Sequence, residues 1–222
     1  MTWAGFIGIF ALFFATHTIP VRPAIKSRIV AHVGPRGFGV GYSVLSLAML
    51  AMLIWAAGAA PNVELWPQLG WHRHFVHAGM LAVCLVIAFL IGRPNPFSFG
   101  GARNDTFDPA RPGIVRLARH PVLAALALWA FVQMLPNGDL AHVLMFGVLG
   151  GFAVGGRGLI NSRKKRKMGS EQWDRLNAAV AQAPVFGKPV SWPSALVRLV
   201  VWLVLFAALI ALHPVVIGVS AL

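Results

Sequence analysis

The chain has 222 residues, 58% of them hydrophobic and only 11% charged, with a mean hydropathy of +0.73. That balance excludes an ordinary soluble domain and reads as an integral membrane protein. The formal net charge is +13, but the basic residues lie between apolar runs, a pattern that points to membrane topology and away from nucleic acid as a partner.

Residues 1–20, MTWAGFIGIFALFFATHTIP, lack both the basic start and the small-residue cleavage site of a secretory signal, so they read as a retained span over 2–19. Further apolar runs follow at 38–60, 75–92, 121–135, 140–160 and 196–219. Each approaches the length that crosses a hydrocarbon layer of about 30 Å as a helix, the fourth being short. The expectation is an all-α, polytopic membrane protein with about six transmembrane helices in one domain over 1–222. Cys84 falls inside the third run and is the only cysteine, so no intramolecular disulfide forms.

Three of the connecting segments are basic. Segment 21–36 carries Arg22, Lys26, Arg28 and Arg36, segment 93–119 carries Arg93, Arg103, Arg111, Arg116 and Arg119, and segment 161–195 carries Arg163 to Lys167, Arg175 and Lys188. The alternate connections carry only Arg73. The positive-inside rule then places the three basic segments in the cytoplasm and both termini on the opposite side of the membrane. Trp55, Trp66 and Trp71 at one boundary and Trp192 at the other read as interfacial anchors.

The most informative stretch is 113–139, GIVRLARHPVLAALALWAFVQMLPNGD. Pro121 suits the first turn of a helix, and its ring pushes His120 out of helical geometry, so His120 is expected at the mouth of the fourth span with Arg116 and Arg119 beside it. In the fifth span Gly147, Gly151 and Gly155 recur every four residues and predict a flat packing face. After the basic run RKKRK, Ser170, Glu171, Trp173, Leu176 and Val180 have the spacing of a short amphipathic helix lying on the cytoplasmic face.

Candidate chemistry is confined to histidine. All six acidic residues lie in loops or at helix ends, and no nucleophile motif, phosphate loop or cysteine metal site is present. Topology sorts the histidines by depth. His17 and His120 fall near one boundary, whereas His77, His142 and His213 fall near the other. Two neutral imidazoles at one depth could hold a haem iron from both sides, with Arg22 and Arg119 available for its propionates or another anion. His17 and His120 are thus the candidate metal ligands, and His17, Arg22, Arg119 and His120 the candidate cofactor site.

The segments FFATHTIPVRP, RLARHPVL, LPNGDL and KKRKMGSEQWDRL, in that order, resemble the NnrU family of bacterial inner-membrane proteins. The resemblance implies a role in nitric oxide and nitrite metabolism during denitrification, and kinship with zeta-carotene isomerases, which carry haem b on histidines. Carried over by motif, His17 matches the first-helix histidine and His120 the RHP histidine. The family pattern has a further histidine before the NGD turn, where this chain has Gln133. The RHP turn with its following helix and basic segment is also similar to isoprenylcysteine and phospholipid methyltransferases, which implies S-adenosylmethionine as the alternative cofactor. Here Ala124 and Ala125 stand where those enzymes tend to have glycine, and Glu171 is alone where they have paired glutamates. A third expectation is a non-catalytic partner of other membrane proteins in the lipid bilayer.

Overall fold

A computed structural model describes residues 1–185 and 191–218. Lys188 and the end of the sixth expected span, Val219, lie outside the described residues. Among those described, helix is the only regular structure, with no strand beyond an isolated antiparallel bridge between Glu64 and Asp139. It folds as two compact units, the first comprising Met1–Pro67 and Asn137–Met145, the second Gln68–Pro136 and Phe146–Leu222.

In the first unit, α1 (Trp3–Thr18) packs on α2 (Pro23–Ala59). Thr2 caps α1 by accepting from the Gly5 amide at 3.2 Å, and Pro20 helps end the helix two residues past its last turn. The buried residues are Phe6 and Phe13 on α1 and Met49, Leu53, Ala56 and Ala57 on α2. Tyr42 ties the pair by donating its hydroxyl to the His17 carbonyl at 3.0 Å. The basic segment 21–36 is expected as a loop, but it is helical from Pro23 as far as Gly34. Charge alone does not oppose helix, and Pro23 supplies a favourable first turn. The break falls instead at Gly34, whose φ of 73° and ψ of 167° are open only to glycine, followed by Pro35, which has no amide to donate.

The NGDL part of the LPNGDL segment closes this unit. The Leu65 and Trp66 amides donate to the Gly138 carbonyl at 2.8 and 3.2 Å, and Leu140 donates to Val63 at 2.9 Å. A Cβ at Gly138 would lie 2.1 Å from the Trp66 carbonyl oxygen, so this position admits only glycine. Asp139 then caps the start of α6 (Leu140–Met168), accepting from the His142 amide at 3.2 Å while its other oxygen meets His142 Nδ1 at 2.6 Å.

In the second unit α3 (Gly70–Leu90) packs against both α5 (Pro121–Met134) and α8 (Trp192–Val216). A Cβ at Gly79 would come 2.3 Å from Val132 Cγ2, so α3 and α5 meet almost backbone to side chain. On α6, a Cβ at Gly150 would meet Ala130 at 3.3 Å and one at Gly156 would meet Leu123 at 3.6 Å, whereas Gly151 and Gly155 face open space. A Cβ at Gly147 would meet Met134 Cε at 3.7 Å, so of the expected face Gly147–Gly151–Gly155 only the first glycine is packed on α5. Trp202 of α8 donates to the Leu81 carbonyl at 2.8 Å, but α8 buries no residue.

Among the described residues four helices, α2, α3, α6 and α8, are long and apolar enough to cross a membrane. The other two expected spans are shorter helices, α1 of 16 residues and α5 of 14, which rise only about 24 and 21 Å. The short α4 (Ile114–Leu117) precedes the RHP turn. The expected amphipathic helix is α7 (Ser170–Gln182). Its Trp173 and Val180 are buried on Phe97 and Val115, with Phe107, Ile114, Met168 and Leu176 around them. Protein, and not a bilayer surface, covers this apolar face.

Candidate functional site

Loop 91–120, the start of α5, the later part of α6 and α7 together form a cap within the second unit. Its centre is the RHP turn. His120 has φ −115° and ψ 72° and stands as the N-cap of α5, as a pre-proline residue must. Its ring is almost wholly buried, and both nitrogens are engaged: Nδ1 with Ser98 Oγ at 2.9 Å and Nε2 with Asn161 Oδ1 at 2.9 Å. With Asn161 offering its carbonyl oxygen, Nε2 carries the proton and Nδ1 accepts from the Ser98 hydroxyl.

Burial holds His120 below its ordinary imidazole pKa, and the nearby charges of Arg119, Arg157 and Lys164 act in the same direction, opposed by the Asn161 hydrogen bond. The sign of the consequence follows from linkage. Above the ordinary value of 6.5 the ring is neutral in both folded and unfolded chains. Below it the unfolded chain takes up a proton that the folded one resists, so stability falls as the pH drops. Thermal midpoints measured in detergent should therefore be flat above about pH 7 and decline below about pH 6, and His120→Asn should show a shallower decline. Equal pH slopes in the two proteins would contradict the buried neutral ring.

Arg119 is pinned from three sides. Its guanidinium lies 5.5 Å from the ring centres of both Phe97 and Trp173 and donates to Asn177 Oδ1 on α7. Its carbonyl accepts from Asn95 Nδ2 at 2.9 Å. Asn95 Oδ1 accepts in turn from the Phe97 amide at 3.1 Å, and Arg116 Nε reaches the Ala183 carbonyl at 3.0 Å, just beyond α7. The turn thus fastens α7 and the loop to α5 and α6 through side chains separated by up to 67 residues.

The other two expected site residues belong to the first unit. His17 is half-buried, with Nδ1 on the Phe13 carbonyl at 3.0 Å and its ring stacked on Phe13 at 4.0 Å. Arg22 is exposed and precedes α2 without a capping bond from its side chain. Of the four residues, only Arg119 and His120 are placed in one cluster by the second unit. As they stand, the residues at His120 do not fit an axial haem ligand, since iron at either nitrogen would displace Ser98 or Asn161 and leave a buried polar group unpaired. Beside the turn, a cavity of about 10 Å³ lined by Leu90, Arg93, Asn95, Gly100, Pro121 and Val122 has room for a single water.

Sequence reasoning does not find Asn95, Ser98, Asn161 or Asn177. Asn161 offers the one visible signal, an amide directly after the apolar run of α6.

An all-helical membrane protein with a cation-pinned polar cap is the class that these features define. A family model described as NnrU protein matches residues 5–221, spanning both units, and the chain belongs to the NnrU family. No curated protein and no solved structure matches it.

Proposed function

We propose that this NnrU-family chain is a multi-pass protein of the bacterial inner membrane, with its basic segments in the cytoplasm and both termini in the periplasm. It serves nitric oxide and nitrite metabolism as an assembly partner of other membrane proteins. The observation that carries the partner reading is the internal use of the RHP turn. Both nitrogens of His120 and the guanidinium of Arg119 hold the cap together, so the chain's strongest candidate chemical groups act as fasteners. The orientation rests on the sixteen Lys and Arg of the three basic segments against Arg73 alone in the alternate connections.

The test is made in a denitrifying bacterium lacking the chain and with the purified chain. The deletion strain should consume nitrite and nitric oxide more slowly, recovering with the native gene, while the purified chain alone should leave both compounds unchanged. Undiminished consumption by the deletion strain would remove the metabolic role, and consumption by the purified chain would replace the partner reading with a catalytic one. Reporter fusions after Lys165 should report the cytoplasm; a periplasmic signal there would invert the orientation.

A further inference from the structure

The C-terminal end of α3 gathers three guanidinium groups. Arg198 of α8 donates from Nη1 to the Ala88 and Ile91 carbonyls at 2.7 and 2.8 Å. Arg103 donates from Nη2 to the Gly92 carbonyl at 3.5 Å, and Arg93 stands in the same turn, close enough for its charge to act on Arg198. The free carbonyls of a helix end carry roughly half a negative charge, which satisfies one cation and not three. Among the described residues none of the three arginines pairs with a carboxylate. With three cations at one helix end and no carboxylate among the described residues to offset them, the cluster has the charge and, on Arg93, the spare donors to hold an anion.

The surroundings select the kind of anion. The adjoining cavity of about 10 Å³ admits a water but no phosphate, so the ligand is met at the surface. That surface is the stripe of α8 beside Arg198, where Val197, Val201 and Val204 are 61%, 40% and 61% exposed. Cations at a helix end above an uncovered apolar helix match an amphiphile with a phosphate head. We propose that Arg93, Arg103 and Arg198 bind the phosphate of an anionic phospholipid whose acyl chains lie along α8. The assignment is independent of the metabolic role and of which leaflet the site faces.

Native mass spectrometry of the chain in mild detergent, titrated with phosphatidylglycerol, phosphatidylcholine or inorganic phosphate, reads the site directly. The native protein should retain phosphatidylglycerol in preference to phosphatidylcholine. Arg93 makes no side-chain hydrogen bond among the described residues, so Arg93→Gln should leave the fold intact. It should weaken phosphatidylglycerol retention about fivefold, with Arg93→Lys retaining most of the binding. Arg198→Gln should weaken retention further, though it also loosens α8 from α3, and for that reason Arg93→Gln decides. Equal retention by the native protein and Arg93→Gln, or no preference over phosphatidylcholine, would overturn the site. Inorganic phosphate bound as tightly as the lipid, with the same sensitivity to Arg93→Gln, would overturn the lipid assignment in favour of a soluble phosphate.

Discussion

His120→Ala should destabilise the second unit by about 2–5 kcal/mol, because it strands two buried polar groups at once and each such loss costs roughly 1–3 kcal/mol. Ser98 Oγ loses the ring nitrogen that accepts its proton, and the Asn161 oxygen loses its donor. Ser98 is 1% exposed, so water cannot readily replace the lost partner there. Ser98→Ala removes only one of the two bonds and, with the imidazole still filling its site, should cost less than half as much. Unfolding by denaturant titration in detergent gives the comparison. Hydrogen exchange adds a local readout: amides of α7 should exchange faster in His120→Ala, since Arg119 on the same turn and Arg116 on α4 just before it hold that helix. A His120→Ala protein within about 0.5 kcal/mol of the native one would show that the knot contributes nothing to stability.

This knot also marks how far the chain could be read from its residues. The placement of His120 follows from the next residue, since a proline dictates the conformation before it. The Asn-Gly-Asp turn is similarly local, with the glycine pressed on the Trp66 carbonyl and the aspartate on the first turn of α6. Ser98 and Asn161 are 22 and 41 residues from His120. A lone amide or hydroxyl has no period, so nothing local announces its partner. Periodicity identifies α7 as amphipathic, yet the same stripe serves a bilayer surface or a protein core, and here Phe97 and Val115 decide it. Charge is weaker still as a guide to backbone: the basic segment read as a loop is helical from Pro23. Spacing likewise finds glycines on α6 without saying which stripe has a neighbour, because the helix carries glycine on more than one face.

Gly79, which stands outside that glycine repeat, should matter more than any glycine within it. An alanine there would place its Cβ 2.3 and 2.8 Å from the two methyl groups of Val132, far inside contact distance. Val132 cannot turn aside, since a β-branched residue in a helix is nearly confined to one rotamer, and it is already 2% exposed. Relief therefore requires α3 and α5 to separate, which opens the interface on which α3 relies between α5 and α8. In lipid, where close packing drives helix association, that separation should cost about 1–3 kcal/mol. Gly151→Ala, facing open space, should be nearly neutral by comparison. The decisive protein is the double variant Gly79→Ala/Val132→Ala, in which the small residue moves from one helix to the other. It should recover most of the stability lost by Gly79→Ala, with a favourable coupling of about 1–3 kcal/mol in the four-protein cycle. Additive losses would mean that Gly79 is required by something other than the approach of Val132.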